Sequence, residues 1–374
     1  MKIKRVILLC DFFSSLGGTE YYNYLLAKSL CENQIEVNIY IGERPRYDFW
    51  LKELEKLSIK YYYPKEYTRD KNDRSVINTY MKEIESQMIK WKPDIIHANP
   101  PGKMLVSLFE NEMAIGCPII ATEWTMPSEN TAYWYPVELR EYINKIDVMI
   151  ATCSKLVEGI RYYHNFGGRI EIVPHLINRP MINKQATDAN SLYSVGCISR
   201  LSQEKGLVFL LGAWARIVEE FPQATLHIYG HGEELKYLEG LIEALGIGRS
   251  VFLEGVYQPI VGIDDIVYKH QIYVQPSLFE SIPTSIIELM GRGRAIIATD
   301  VGGVSEVINE QMESGLLISR ASTDDIYVAL KKLFTDKLLR EKIQHNAMIL
   351  FEKKYDLYSC MDKIISIYNS LIKE

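Results

Sequence analysis

The chain has 374 residues, more than a single compact core usually organises and enough for two domains. It is 47% hydrophobic and 24% charged, which is the make-up of a folded globular protein rather than a disordered one. Its formal net charge of −6 argues against a nucleic-acid binder, and nowhere do ~18 uninterrupted apolar residues offer a membrane span.

In chain order, Arg5–Cys10 is a short branched run that reads as a first buried strand. The segment MKIKRVILLCDFF imitates a leader peptide, but its apolar stretch is short and is cut by Asp11. The turn LGGTE follows, with Gly17 and Gly18, then a helix from about Tyr21 to Cys31. Strands are expected at Val37–Ile41, Asp94–Ala98, Ile119–Thr122, Val148–Ala151 and Ile170–Val173. Between the first two of these, Arg44–Arg74 mixes both charges with aromatics and reads as a solvated helix and loop. A docking surface for a headgroup or an acceptor is the sharper reading of the same stretch.

Asn178–Asn190 is polar, carries a proline and lacks periodicity, so it reads as an interdomain linker. The strand–helix series then restarts. Strands are expected at Ser194–Ser199, Thr225–Tyr229, Val251–Leu253, Ile272–Gln275, Ala295–Ala298 and Leu316–Ser319, with helices at Leu207–Glu220 and Thr284–Gly291. Continuous apolar strands alternating with helices predict parallel sheets covered on both faces, hence two doubly wound α/β domains. The six cysteines include no C-x-x-C pair and several lie in strand-like runs, so they are expected to be reduced, as in a cytoplasmic protein.

Chemistry concentrates after particular strands. Arg200 and Lys205 follow Ser194–Ser199 and precede a helix, where the carboxyl end of a strand places ligands. A guanidinium fork and an ammonium suit phosphate oxygens, and a helix start does not by itself favour bases. Glu280 and Glu288 bracket the segment SIPTSII; ionised carboxylates only accept hydrogen bonds and suit vicinal hydroxyls. Each of these also has an ordinary reading as a surface residue. The turns at Gly17–Gly18, Gly230–Gly232 and Gly302–Gly303 admit either tight packing or close approach to a ligand.

SRLSQEKG, IYGHGEE, PSLFESIPTSIIELMGRG and ATDVGG, in this order, resemble the donor half of glycosyltransferase family 4; LGGTE, PDIIHA and IVPHLIN resemble landmarks of its first half. The resemblance covers nearly the whole chain. It implies the GT-B fold: two Rossmann-like domains facing a central cleft, residues 1–180 on the acceptor side and 190–355 on the donor side. It further implies that the C-terminal helix, 356–374, crosses back to the first domain. The implied activity is retaining sugar transfer from a nucleoside-diphosphate sugar to a hydroxyl acceptor, with no metal and no cofactor. Polysaccharide or glycolipid assembly, with peripheral contact at the inner membrane face, is the implied setting.

By the same resemblance, Arg200 and Lys205 hold the donor diphosphate, Glu280 faces the sugar and Glu288 the ribose. Ile282, Pro283, Thr284 and Ser285 lie along the phosphate and the sugar, and Gly17 and Gly18 belong to a loop closing over the phosphates or the acceptor. The chain departs from the family pattern at Thr122-Glu123-Trp124, where many members carry histidine in place of the tryptophan. Trp124 offers an indole donor and a flat face for a sugar, Glu123 a substitute polar contact, and His97 a strand-end alternative; a core tryptophan and a core histidine are the plainer readings. Two other functions share this fold: another enzyme, such as a sugar-nucleotide epimerase or a phosphorylase, or a non-catalytic partner subunit. Taken as partly exposed sites, Lys205 and Glu280 are expected to lose transfer on truncation to alanine while the fold stays intact.

Overall fold

Strands form where aliphatic and branched residues run without interruption, and in this chain such runs are separated by amphipathic helices. The computed structural model describes residues 2–66, 74–113, 115–126, 138–178, 192–257, 262–308 and 311–372. They divide into two units, Met1–Leu176 with Leu357–Glu374, and Ile177–Asp356. The proposed linker Asn178–Asn190 lies almost wholly outside the described residues.

In the first unit the strands are β1 (Arg5–Cys10), β2 (Glu36–Ile41), β3 (Lys60–Tyr62), β4 (Ile95–Ala98), β5 (Ile119–Glu123), β6 (Val148–Ala151) and β7 (Arg169–Ile172). They pair in parallel in the order β3-β2-β1-β4-β5-β6-β7. The second unit holds β8 (Ser194–Ile198), β9 (Thr225–Tyr229), β10 (Val251–Gly255), β11 (Ile272–Gln275), β12 (Ala295–Thr299) and β13 (Leu316–Ile318). Their order is β10-β9-β8-β11-β12-β13, again parallel. In each sheet the winding direction reverses once, between β1 and β4 and between β8 and β11. Those reversals are the switch points where open α/β sheets receive ligands.

The helices answer to their sequences. Leu207–Glu220 buries Leu207, Leu210, Leu211, Trp214 and Ile217, a stripe at spacings of three and four. Each such side chain contributes about 1.5–3 kcal/mol on leaving water. Thr323–Thr335 starts where the Ser322 side chain accepts from the Asp325 amide, with two aspartates in its first turn to complement the dipole.

The stretch Arg44–Arg74 corrects the expectation of a solvated helix and loop. Its helix, Phe49–Lys56, sinks Trp50 and Leu54 into the unit, and Lys60–Tyr62 adds an edge strand. Trp50 is surrounded by Phe13, Tyr21, Tyr24 and Phe49 and donates its indole N–H to the Ser15 carbonyl at 2.7 Å. Residues 67–73 of that stretch lie outside the described part.

The last helix, Leu357–Leu371, belongs to the first unit. Its Tyr368 hydroxyl meets Nδ1 of His97 at 2.5 Å, and the other ring nitrogen meets Thr122 Oγ1 at 2.7 Å. All three groups are buried, and burial pushes the imidazole down to about 3, so it is neutral. One β4 histidine therefore ties the C-terminal helix to β5.

At the end of β5, Glu123 is 2% exposed. Its Oε1 accepts from the amides of Trp124 and Thr125, both at 2.9 Å, while Oε2 lies 3.9 Å from His164 Nε2. Burial raises this carboxyl to about 7 and, with Arg140 nearby, lowers His164 to about 4. Near neutrality the imidazole is uncharged, so the two groups are neighbours and not a strong ion pair.

Two predictions follow from these buried groups. Tyr368→Phe leaves His97 Nδ1 buried without its partner and should cost about 1–3 kcal/mol, read as a lower denaturant midpoint. Glu123→Gln should change the pH dependence of stability. Below about pH 4 the glutamic acid is protonated both folded and unfolded, so its burial carries no charge penalty. Between its ordinary value of 4.5 and about 7, the unfolded chain releases a proton that the folded chain keeps, so stability falls as pH rises and levels off above. The variant should therefore be more stable than wild type by up to a few kcal/mol at about pH 8 and no more stable at about pH 4, as measured by thermal melts.

Candidate active site

The second sheet's switch point brings together the loop after β8 and the loop after β11. A short turn, Gln203–Lys205, ends at Gly206, which adopts φ +62° and starts the helix Leu207–Glu220. Any Cβ at Gly206 would sit 2.2 Å from the Pro276 carbonyl oxygen, so only glycine lets the two loops touch. The Leu278 amide donates to the Glu204 carbonyl at 2.7 Å and closes the same contact.

Across this junction Lys205 Nζ lies 2.5 Å from Glu280 Oε1. The two side chains are 14% and 11% exposed, so the pair is largely removed from water. Both are thus partly exposed, as expected, but removing one partner would leave the other charge without its counter-ion in a mostly dry setting. The same Oε1 accepts from Ser277 Oγ at 2.9 Å. Among the described residues Oε2 of Glu280 has no hydrogen-bond partner.

Arg200 stands at the edge, about half exposed, with one nitrogen 3.2 Å from Glu204 Oε1. Ser202 Oγ donates to that same oxygen at 2.6 Å. Arg200 and Lys205 both act electrostatically on Glu204, which places one basic neighbourhood along the 200–205 loop.

Glu288 lies on the helix that follows the Glu280 loop. It is the fifth residue of Thr284–Gly291, about one turn in, and 6% exposed. Burial lifts its carboxyl to about 7 against the pull of Arg292, with Asp264 adding to the rise. Arg292 itself is occupied: its Nε is ion-paired with buried Asp264 and its Nη1 donates to the Glu288 carbonyl at 3.0 Å. The Glu288 carboxyl accepts no hydrogen bond from a described residue.

Ile282 and Pro283 are buried and Thr284 half-buried; Pro283 caps the helix with extended backbone. The first amides of that helix have no intrahelical acceptor. Gly302 and Gly303 form a packing turn here. At Gly302, φ is +56° and a Cβ would lie 2.0 Å from the Glu280 carbonyl, while Gly303 N donates to Ser281 at 2.7 Å. Gly230 and Gly232 likewise back the 199–201 loop, and His231 is exposed.

The remaining sequence candidates lie in the first unit. Gly17 precedes the helix Gly18–Glu32, and its amide donates to Ser15 Oγ at 3.1 Å. A Cβ there would crowd Ser15 Oγ and buried Glu20, which accepts from the Ser15 amide and hydroxyl. Gly18 is exposed. Trp124 is 9% exposed, stacked on His175 at 5.0 Å and 19° and edge-on to Tyr22 at 4.2 Å. That is a core tryptophan, not an open platform. His97 is the core histidine described above, and Glu123 is enclosed as well.

Sequence reasoning did not single out Ser277, Gln275, Glu204 or Gly206. The signal was present for Ser277, which stands three residues before Glu280 in PSLFE, but its direction is visible only in three dimensions.

Comparison with known proteins places the chain by family and fold. The model of the family described as Glycosyl transferases group 1 matches residues 180–348, and that of Glycosyltransferase Family 4 matches residues 16–179. An alpha-D-kanosaminyltransferase of Streptomyces kanamyceticus is 29% identical over 46% of this chain and 45% of its own length. A sulfoquinovosyl transferase of Arabidopsis thaliana is 26% identical over 75% of this chain and 57% of its own. The matched regions thus span little more than half of these relatives at most. Among solved structures, Anabaena HepE in complex with UDP and glucose superposes with a TM-score of 0.78, at 19% identity, covering 99% of this chain and all of that one. The pneumococcal O-GlcNAc transferase GtfA, in complex with UDP and GlcNAc, gives 0.79 at 14% identity with full coverage of both chains. On the two adjoining family matches and this likeness along the whole chain, the protein belongs to glycosyltransferase family 4 and has the GT-B fold.

Proposed function

We propose that this chain transfers a sugar from a nucleoside-diphosphate sugar to an acceptor hydroxyl with retention of anomeric configuration and without a metal ion. The observation that carries the reading is the Lys205–Glu280 pair at the switch point of the second sheet. A cation for a diphosphate and a carboxylate for sugar hydroxyls stand there in direct contact.

An ammonium has three donors, so Lys205 can keep Glu280 while binding a phosphate oxygen. Arg200 adds a half-exposed guanidinium at the rim. As the bond from the anomeric carbon to the phosphate oxygen breaks, negative charge grows on the diphosphate. Lys205, Arg200 and the first amides of Thr284–Gly291 would meet it. The acceptor oxygen bonds the anomeric carbon on the same face, and its proton passes to the departing phosphate oxygen. Glu280 Oε2 suits a sugar hydroxyl, and Glu288 a ribose hydroxyl. Polysaccharide or glycolipid assembly is the setting we propose. Peripheral contact with a membrane face belongs to the same proposal; no helix among the described residues is long and apolar enough to cross a membrane.

The direct test is a thermal-shift and calorimetry screen with UDP-, GDP- and ADP-sugars. One of them should stabilise the protein, by about 2.7 kcal/mol at a hundredfold excess over Kd. NMR of the product should show the donor's anomeric configuration, with turnover unchanged by EDTA. Failure of every nucleotide to bind would sink the proposal. Glu280→Gln keeps the side chain's size and an acceptor for Lys205, and should lower kcat on the order of a hundredfold and also lower Tm, because the Lys205 charge loses its counter-charge. Glu288→Gln should act chiefly on nucleotide affinity, weakening it on the order of tenfold while kcat changes less.

A further inference from the structure

The Glu280 carboxylate has two oxygens in unlike surroundings, and the difference is built by residues behind it. Oε1 takes Lys205 Nζ at 2.5 Å and Ser277 Oγ at 2.9 Å. Ser277 is 1% exposed, and its oxygen in turn accepts from Gln275 Nε2 at 3.2 Å. Gln275, the last residue of β11, is 4% exposed, and its Oε1 meets Ser285 Oγ at 3.5 Å. Donors therefore run one way, from the Gln275 amide to the Ser277 hydroxyl to the carboxylate.

A serine hydroxyl has a single proton, and free rotation would let it point elsewhere. Here the Gln275 N–H occupies the acceptor side, so the proton is directed at Glu280. Burial removes competing water, and each bond polarises the next. Both sides of Oε1 are thereby filled, which leaves Oε2 to meet a ligand.

We infer that Gln275 and Ser277 are positioning residues of the donor site: through the chain Gln275–Ser277–Glu280 they fix which carboxylate oxygen faces the transferred sugar. The inference rests on the donor-site reading above. Ser277 is 1% exposed with its hydroxyl on Glu280, so in this arrangement it acts through Glu280.

The test uses the full chain with UDP, GDP and ADP and their glucose esters as probes. In Ser277→Ala, kcat/KM for the sugar donor should fall on the order of tenfold or more, while the Kd of the bare diphosphate stays within about twofold. Ser277→Thr, which keeps the hydroxyl, should recover most of the loss. In a Glu280→Gln background Ser277→Ala should have little further effect, because the two residues act as one unit. Where Ser277→Ala does not fold, Gln275→Met serves instead and should give a smaller loss in the same direction.

Wild-type turnover in Ser277→Ala would overturn the inference. So would a full additive loss in the Glu280→Gln background, or an equal loss of bare-diphosphate binding, since either marks a scaffold role. Binding of no probe by the wild-type protein removes the donor-site reading itself and this inference with it. Binding by wild type with an indifferent Ser277 variant removes the inference alone.

Discussion

A lysine ammonium 2.5 Å from a carboxylate oxygen, 75 residues apart in sequence, joins the loops after β8 and β11. The contact depends on backbone geometry that side chains alone could not supply. Gly206 lets the first loop lie against the Pro276 carbonyl, and Gly302 lets the turn after β12 lie against the Glu280 carbonyl. Both residues have positive φ and both approach a carbonyl more closely than any Cβ permits. Three neighbouring strand ends are thus clamped by their backbones, and the charged pair sits within the clamp.

That clamp explains why the pair can be largely dry yet useful. An isolated buried charge is costly, and two charges in contact are tolerable only when hydrogen bonds complete the site. Ser277 and Gln275 complete it on the protein side. The ligand side keeps one carboxylate oxygen and the remaining ammonium protons. Glu288 follows a different logic: enclosed near Arg292 but not bonded to a described residue, its carboxyl is held near neutrality until a hydroxyl, or a nearby cation, rewards ionisation.

The first unit shows how a polar residue at a strand end can be structural. His97 and Trp124 stand where a sugar-facing residue could stand, yet His97 ties Tyr368 of the last helix to β5 and Trp124 packs between His175 and Tyr22. Glu123 is turned inward onto its own backbone amides. Trp124 therefore puts a large aromatic into the packing of this unit and does not open a flat face to solvent.

What the sequence by itself determined was the alternation. Apolar runs such as VILLC and AIIAT, separated by helices with apolar stripes, require parallel sheets with both faces covered, and the motifs after β8 and β11 carry the resemblance to the family by type and order. Edge strand β3 escaped because Lys60–Tyr62 is short and half-exposed, so it carries no run of buried residues to betray it. Only the tertiary structure decided that Lys205 touches Glu280, that Ser277 stands behind it, and that His97, Glu123 and Trp124 face inward. Periodicity and motif spacing report the face a residue occupies along its own element. The partner it meets depends on which strand ends become neighbours, and that is settled by the sheet order and the close contacts that glycine allows.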